Sequence, residues 1–282
     1  PHRAFDGQIR AGPINGEPAT EAQEYQDLRD ATVNHARPLL ERSPMTLLLG
    51  GWDASRKTHQ GRYRSILVGE IIGILADQEG GPEANQSKRG GARIDPVGMR
   101  IDLEDKERKA ITEAQKHELS ASTYKSASGK NGKVSTLGLG GIPPSLEQLG
   151  GVTCQAIIRS HVLSFAALRA LRFDSPTPEG DVACRALLAA LALNGLARSD
   201  AELLLRANCD LVEAGPAVVT LDKRYGQKEN FEPLSIEQAQ ELLSAAIDNA
   251  VQAANLTWDG SILVVEGNPT ILAAAADDAQ DD

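Results

Sequence analysis

The sequence is poor in the residues that form disulfide frameworks and metal centres. Its three cysteines are Cys154, Cys184 and Cys209, too far apart for any C-x-x-C pair. An odd number of widely spaced cysteines is typical of a reducing compartment with small buried thiols. The five histidines are also scattered, without metal-like spacing among themselves or with the cysteines. We therefore expect neither a metal site nor a cofactor.

Long apolar runs and nucleotide-binding motifs are missing as well. No apolar run approaches the roughly 18 residues of a membrane helix, and no charged-then-apolar signal opens the sequence. Both features predict a soluble, cytoplasmic protein without a membrane partner.

A P-loop requires lysine followed by serine or threonine, whereas Lys130 and Lys133 are followed by asparagine and valine. The glycine run at 138–141 lacks the third glycine of a dinucleotide fingerprint, because Pro143 stands in its place.

Acidic residues outnumber basic residues, so the formal net charge is -10. The charges are nevertheless segregated along the chain. Residues 37–100 carry 10 basic and 7 acidic groups, residues 121–173 carry 6 and 1, and residues 174–282 carry 6 and 19. An acidic chain with two basic blocks can hold a polyanion on one face and keep the opposite face anionic.

The first basic block centres on a predicted loop at residues 50–65, with Trp52 and Tyr63 at its edges. Two apolar, β-prone runs, Thr46–Leu49 and Ile66–Ile74, flank this loop and predict a strand on either side. Cations on a flexible loop between strands suit a phosphate backbone, although a merely solvated loop would carry the same charges. The loop cations are Arg56, Lys57, His59, Arg62 and Arg64.

The second basic block is a stretch rich in Ser, Gly and Lys at residues 120–151. We expect a long protruding loop or ribbon that makes no core, although a flexible linker would look similar. Ahead of it, residues 76–119 combine a glycine-rich mobile loop, an extended piece and a surface helix over Lys106–Leu119. The candidate phosphate contacts in these two segments are Lys88, Arg89, Arg93, Lys125, Lys130 and Lys133.

Strands and helices intermix irregularly along the chain, which favours a single α+β domain over residues 1–282 with a mostly antiparallel sheet. Val152–Leu163 predicts a central strand, and Asp181–Asn194 is apolar almost all round, which predicts a buried helix. A capping box of Ser235 and Gln238 predicts a helix behind it. Further expected elements are an extended arm at 1–20, one helix within 20–42, a helix from Ser164 through Phe173, strands at Leu203–Val212, Ala217–Leu221 and Ile262–Val265, and an acidic tail at 270–282.

Two aspartates lie in or beside the basic segments and are candidate catalytic groups. A carboxylate of Asp53 or Asp95 in such a place can orient a water or a ribose hydroxyl for RNA cleavage. The alternative is that each is a turn or capping residue paired with a nearby arginine, as the Asp-Pro at position 95 suggests. Ser160 and His161 are neighbours on a predicted strand and point to opposite faces, which argues against a nucleophile and base pair.

Several motifs, taken in order, resemble one family: the backbone subunit of the type I-G (formerly I-U) CRISPR Cascade complex, within the repeat-associated RNA-binding (RAMP) superfamily. The resemblance covers about residues 40–225. The motifs are LLLGGWDASRK at 47–57, SILVGEIIG at 65–73, RIDPVG at 93–98, GIPPS at 141–145, GGVT at 150–153, LSFAALRALRF at 163–173 and LRANCDLV at 205–212.

This resemblance implies a palm with an RRM-like, ferredoxin-like core, a finger-like insertion at 76–119 and a thumb-like β-ribbon at 120–151. Copies would stack head to tail along a CRISPR RNA as an open helical filament. The loop from Ser55 to Arg64 would grip guide phosphates, and the tip of the ribbon would displace a guide base. The wedge at that tip would be Ile142, Pro143 and Pro144.

The implied partners are the CRISPR RNA, target DNA by way of the guide, further copies of the chain, other Cascade subunits and a separate helicase-nuclease. In related type III complexes a loop aspartate cleaves target RNA, and Asp95 is the nearest candidate, but type I relatives lack that activity. We therefore expect a non-catalytic protein. The sequence departs from a free-standing RRM because no strand pattern shows aromatic stackers, which favours backbone gripping. An RNA endonuclease and an acidic structural protein with a protein partner stay open as alternatives.

Overall fold

The computed structural model describes residues 9–52, 56–57, 61–75, 86–87, 101, 103–139, 151–152, 154–202 and 211–277. Within these ranges helices intermix with short strands that pair only in antiparallel fashion, which confirms the α+β prediction. Each sheet in the described ranges has two strands, so the RRM-like palm stays a prediction.

The helices are α1 (Gln23–Asp30), α2 (Arg37–Arg42), α3 (Pro44–Leu49), α4 (Asp105–Ala114), α5 (Ala121–Ser128), α6 (Phe165–Ala170), α7 (Pro178–Ala201), α8 (Ile236–Ala254) and α9 (Pro269–Asp277). The strands are β1 (Pro13–Ile14), β2 (Glu17–Pro18), β3 (Gly51–Trp52), β4 (Arg62–Tyr63), β5 (Leu67–Leu75), β6 (Gln86–Ser87), β7 (Gly151–Val152), β8 (Cys154–Leu163), β9 (Val219–Asp222) and β10 (Lys228–Phe231).

The main core forms where α7 packs against α8, with α2, α3 and α6 around them. Thr177 caps α7 by accepting a hydrogen bond from the Gly180 amide, and the predicted capping box of Ser235 and Gln238 starts α8. Leu187 of α7 is completely buried, and burial of such a leucine contributes about 1.5–3 kcal/mol. By length and composition α7 is apolar enough to cross a membrane, a test that core helices of soluble proteins also pass.

The predicted buried thiols are partly confirmed by the two cysteines that the structure describes. Cys184 lies in the main core, whereas Cys154 at the start of β8 is only half-buried. Burial raises the pKa of the Cys184 thiol to about 11. The thiolate is the reactive form of cysteine, so Cys184 is a packing residue and not a nucleophile.

Residues 103–139 form a second, smaller unit, here called the helical module, and this corrects two predictions. The expected ribbon is a helix over its first part, because Ser120 caps α5 by accepting a hydrogen bond from the Thr123 amide at 3.1 Å. This stretch also contributes to a core, where none was expected, and α4 is the expected surface helix, with one side packed on that core. The module has a core of its own, and α9 packs against it. The buried residues of this core are Leu103, Ile111, Leu119, Ala127, Leu137 and Leu139.

The predicted strands β5 and β8 pair from Leu67↔Leu163 outward to Leu75↔Cys154. The first pair packs on the main core, but the paired side chains farther out are exposed: Val162 is 63% exposed and Ile72 47%. Within the described ranges β8 pairs only with β5, so the prediction of a central strand is wrong there. These strands therefore expose an apolar surface along most of their paired length.

Thr46–Leu49 lies in α3 and not in a strand. Proline at the first position of α3 presets the helical backbone, and the Ser43 hydroxyl lies 2.8 Å from the Thr46 hydroxyl at its start. Leu47 and Leu48 are each 1% exposed, so the short apolar run fills the core as a helix. A run of this length does not distinguish helix from strand by periodicity.

Other boundaries also differ from the predictions. The region 20–42 holds α1 and α2 in place of one helix, and the helix behind Ser164 ends at Ala170. The strand predicted at 217–221 is β9 (219–222), which pairs with β10; of the strand predicted at 203–212, residues 203–210 lie outside the described ranges and 211–212 form no strand. Ile262–Val265 forms no strand, and residues 270–277 of the predicted tail are helical, in α9.

Candidate nucleic-acid interface

The first basic segment is held by a short hairpin, in which β3 pairs with β4 through Gly51↔Tyr63 and Trp52↔Arg62. Gly50 makes the connection from α3 possible. Its φ is +80°, and a Cβ at this position would lie 2.8 Å from the Ser65 hydroxyl oxygen and 2.9 Å from the Tyr63 carbonyl oxygen. Only glycine fits a left-handed backbone so close to its neighbours, so the entry to the hairpin is fixed.

The extended segment from Arg62 to Arg64, which includes β4, alternates one half-buried tyrosine with two exposed arginines. The Tyr63 hydroxyl donates to the Ala31 carbonyl, and burial raises the pKa of Tyr63 while the nearby Arg56 opposes that rise. Arg62 and Arg64 are exposed. Together with Gly51 and Tyr63 they line an open depression of about 310 Å³. Two guanidinium groups beside a concave surface have the donors that a phosphate group would need.

Arg56 is not exposed in this structure, and its side chain belongs to the interior. It is 2% exposed, its guanidinium carbon lies 5.5 Å from the centre of the Tyr25 ring, and Nη1 donates to the Arg29 carbonyl at 3.3 Å. A cation packed over an aromatic ring stabilises the fold. This placement gives Arg56 a structural role and removes it from contact with a phosphate. Its neighbour Lys57 is exposed.

Residues 56 and 57 lie midway along the basic loop, between β3 and β4. They attach this loop to the helical module and are here called the loop root. Arg56 forms an antiparallel bridge with Leu119, and the Lys57 amide donates to the Glu118 carbonyl at 2.9 Å. The Glu118 carboxylate accepts from Nη1 of Arg29 at 2.8 Å. The pKa of Arg29 is raised, chiefly by its hydrogen bond to the adjacent Asp30 and further by Glu118. These contacts place the loop root beside the N-terminal end of α5.

The helical module presents its lysines to solvent and keeps its one buried arginine inside. Arg108 is 2% exposed, and its guanidinium donates to the Ala127 carbonyl and, at 3.0 Å, to the Gly129 carbonyl. These are carbonyls at the C-terminal end of α5, which need donors or cations. The Arg108 guanidinium beside Asp105 lowers the pKa of that carboxyl. The exposed lysines are Lys125, Lys130 and Lys133, in a stretch from 119 to 139 without any acidic residue.

The structure also shows a cationic feature that the sequence analysis missed. At the tip of the β9–β10 hairpin Tyr225 is 95% exposed with a φ of 59°, and Arg224 precedes it. Two cross-strand ion pairs, Lys223–Glu229 and Lys228–Asp222, brace the hairpin. The signal was present as K-R-Y-G-Q-K at 223–228, but counting charge over the whole acidic C-terminal block concealed it.

Ten of the predicted residues lie outside the described ranges, so their roles stay predictions. They are Asp53, Ser55, His59, Lys88, Arg89, Arg93, Asp95, Ile142, Pro143 and Pro144. Within the described ranges no group of three or more His, Cys, Asp or Glu side chains is placed to hold a metal ion.

Fold and surface together define an α+β protein that exposes basic side chains in more than one of its described segments. Residues 1–78 match the model of a family described as CRISPR-associated protein GSU0053. This match indicates a CRISPR-associated protein. It contains the β3–β4 hairpin, whereas the helical module and the β9–β10 hairpin lie beyond it. No curated protein and no solved structure matches the chain.

Proposed function

We propose that the chain is a non-catalytic backbone subunit that binds the CRISPR RNA of a type I-G Cascade complex and presents it for pairing with target DNA. One observation carries the proposal. The segment that carries the exposed Arg62 and Arg64 contacts the helical module, with its exposed lysines, through the Lys57–Glu118 hydrogen bond, in a chain with a CRISPR-associated match. Two cationic surfaces connected in this way suit an extended polyanion better than a compact one.

The chemistry of these surfaces favours binding to the backbone over reading of sequence. Lysine ammonium groups on a helix and a turn act as point charges, and the guanidinium groups of Arg62 and Arg64 can donate hydrogen bonds to phosphate oxygens. Binding of this kind releases counterions, so affinity falls steeply with salt, by a slope of about 0.7 for each phosphate of a single strand. At the β9–β10 tip, Tyr225 adds an aromatic ring of the type on which bases stack.

The assembly is part of the same proposal. The chain would form a filament of copies along the guide in the cytoplasm, beside other Cascade subunits and a separate helicase-nuclease. The exposed aliphatic side chains of β5 and β8, among them Ile71 (57% exposed) and Val162 (63% exposed), support a surface that protein neighbours cover. The lack of an excess of positive charge elsewhere keeps the opposite face free of RNA.

Purification of the chain tests the proposal directly. We expect co-purifying RNA at low salt, visible as a raised ratio of absorbance at 260 to that at 280 nm, and steep loss of this RNA as salt rises. Absence of RNA at low salt contradicts the proposal and favours the acidic structural protein. Asp95→Ala and Asp53→Ala should leave bound RNA intact. Cleavage of a complementary RNA that either change abolishes would establish the endonuclease alternative.

A further inference from the structure

An acidic residue, Glu118, lies between the two cationic surfaces. A carboxylate close to bound phosphates weakens their binding by like-charge repulsion. Glu118 is nevertheless only 12% exposed at its side chain, and its carboxylate is paired with Arg29, whose side chain is 20% exposed. Its charge is therefore directed toward Arg29 of α1.

The same residue also holds the basic loop through its backbone. The Lys57 amide donates to the Glu118 carbonyl at 2.9 Å, and Arg56 bridges to the next residue, Leu119, whose side chain is 2% exposed in the core of the helical module. Arg29 completes the arrangement, because its own carbonyl accepts from Arg56. Side chain and backbone of residue 118 thus connect α1, the loop root and the module at one point.

We propose that Glu118 is a positioning residue: its ion pair with Arg29 aligns the loop root with the helical module, so that both cationic surfaces engage one strand of nucleic acid. This inference rests on the proposed function. The N-cap of α5, Ser120, follows two residues later, and the eight residues of α5 span about 12 Å. Lys125, in the second turn of α5, therefore follows closely on the segment that holds Lys57.

Alignment matters because two linked surfaces gain from each other. Once one surface has bound a strand, the second meets its phosphates at a high effective concentration, provided that the geometry allows both contacts at once. If the Arg29–Glu118 pair is removed, the loop root is held by fewer contacts and simultaneous engagement is lost. Removal of this acidic residue should then weaken the binding of a polyanion, against the direction that charge alone predicts.

The test compares Glu118→Ala with Glu113→Ala, binding a single-stranded RNA across a salt series. Both changes remove one negative charge from the helical module, but the described partners of the Glu113 carboxylate are local, namely Lys116 at 2.8 Å and Tyr124. We expect Glu113→Ala to bind RNA as tightly as the parent or more tightly. Glu118→Ala should bind more weakly, with a salt slope reduced by roughly 1.4, the equivalent of two single-strand phosphate contacts.

Two further measurements separate positioning from general damage. Hydrogen exchange should show faster exchange of the Lys57 amide in Glu118→Ala and not in Glu113→Ala. If Glu118→Ala fails to fold, two changes of its partner replace it. Arg29→Lys keeps the charge and should retain most of the parent's salt slope, whereas Arg29→Met should reduce it. Equal effects of Glu118→Ala and Glu113→Ala on the slope, or an unchanged slope in Arg29→Met, overturn the positioning role. A parent chain that binds no RNA at low salt overturns the proposed function itself, which distinguishes the two failures.

Discussion

The β3–β4 hairpin and the helical module are both basic in sequence, and each divides its cations in the same way. In the first region Arg56 is buried against Tyr25, while Arg62 and Arg64 face solvent. In the second, Arg108 is buried against carbonyls of α5, and the lysines around it are exposed. One arginine in each region stabilises the fold, because a guanidinium offers several donors in one plane. A count of basic residues therefore overstates the charge available to a ligand.

The largest expected effect is on the stability of the helical module. Arg108→Ala removes donors from the Ala127 and Gly129 carbonyls and leaves a cavity, so we expect a loss of about 3 kcal/mol in the free energy of unfolding. Denaturant titration measures this loss. Lys109→Ala on the exposed side of the same helix should change stability by less than about 0.5 kcal/mol. Equal results for both would show that Arg108 does not organise the module.

The second prediction concerns the exposed lysines of the module. Replacing Lys125, Lys130 and Lys133 together by alanine should reduce the salt slope of RNA binding by roughly 2, at about 0.7 for each lost phosphate contact. Thermal stability should stay close to that of the parent, because these side chains are exposed. The matched control is Arg169→Ala with Arg198→Ala, which removes exposed cations of α6 and α7, outside the helical module. A slope that falls as much in the control as in the lysine variant contradicts a defined binding surface.

The third prediction extends the comparison to the β9–β10 hairpin, which combines cations with an exposed ring. Tyr225→Ala should weaken binding of single-stranded RNA by about tenfold, within the roughly 1–3 kcal/mol that one stacked base contributes, with little change in salt slope. Tyr225→Phe keeps the ring and should bind like the parent. An affinity equal in all three proteins, measured by titration of a labelled RNA, would exclude stacking at this tip.

The elements with strong local signals could be predicted from the sequence. The capping box before α8, the apolar α7 and the long β-prone runs of β5 and β8 were all placed correctly. In contrast, α5 was missed because its serines and lysine resemble a linker, although Ser120 is a helix cap and the first glycine follows only at residue 129. Short elements carry few periods, so tertiary packing decides them.

The candidate site could be predicted only in part. The sequence places cations on both surfaces, but burial of one of them depends on a distant partner. Arg56 is buried because it packs on the Tyr25 ring and donates to the Arg29 carbonyl, both on α1. The sequence of the loop alone does not indicate these contacts. The hairpin tip was missed for a different reason, because an acidic average over residues 174–282 hides a local run of cations.

The smallest expected effect tests the difference between the buried Arg56 and the exposed arginines of the first basic segment. Arg56→Ala should cost about 1–2 kcal/mol in the free energy of unfolding, from the lost packing on Tyr25 and the lost hydrogen bond to Arg29. It should leave the salt slope of RNA binding unchanged, because the side chain is buried. Arg62→Ala with Arg64→Ala should do the reverse and reduce the slope by roughly 1.4 at nearly constant stability. A combined change of Arg56, Lys57, Arg62 and Arg64 would therefore mix two effects, and a slope that falls in Arg56→Ala alone would place this arginine on the RNA after all.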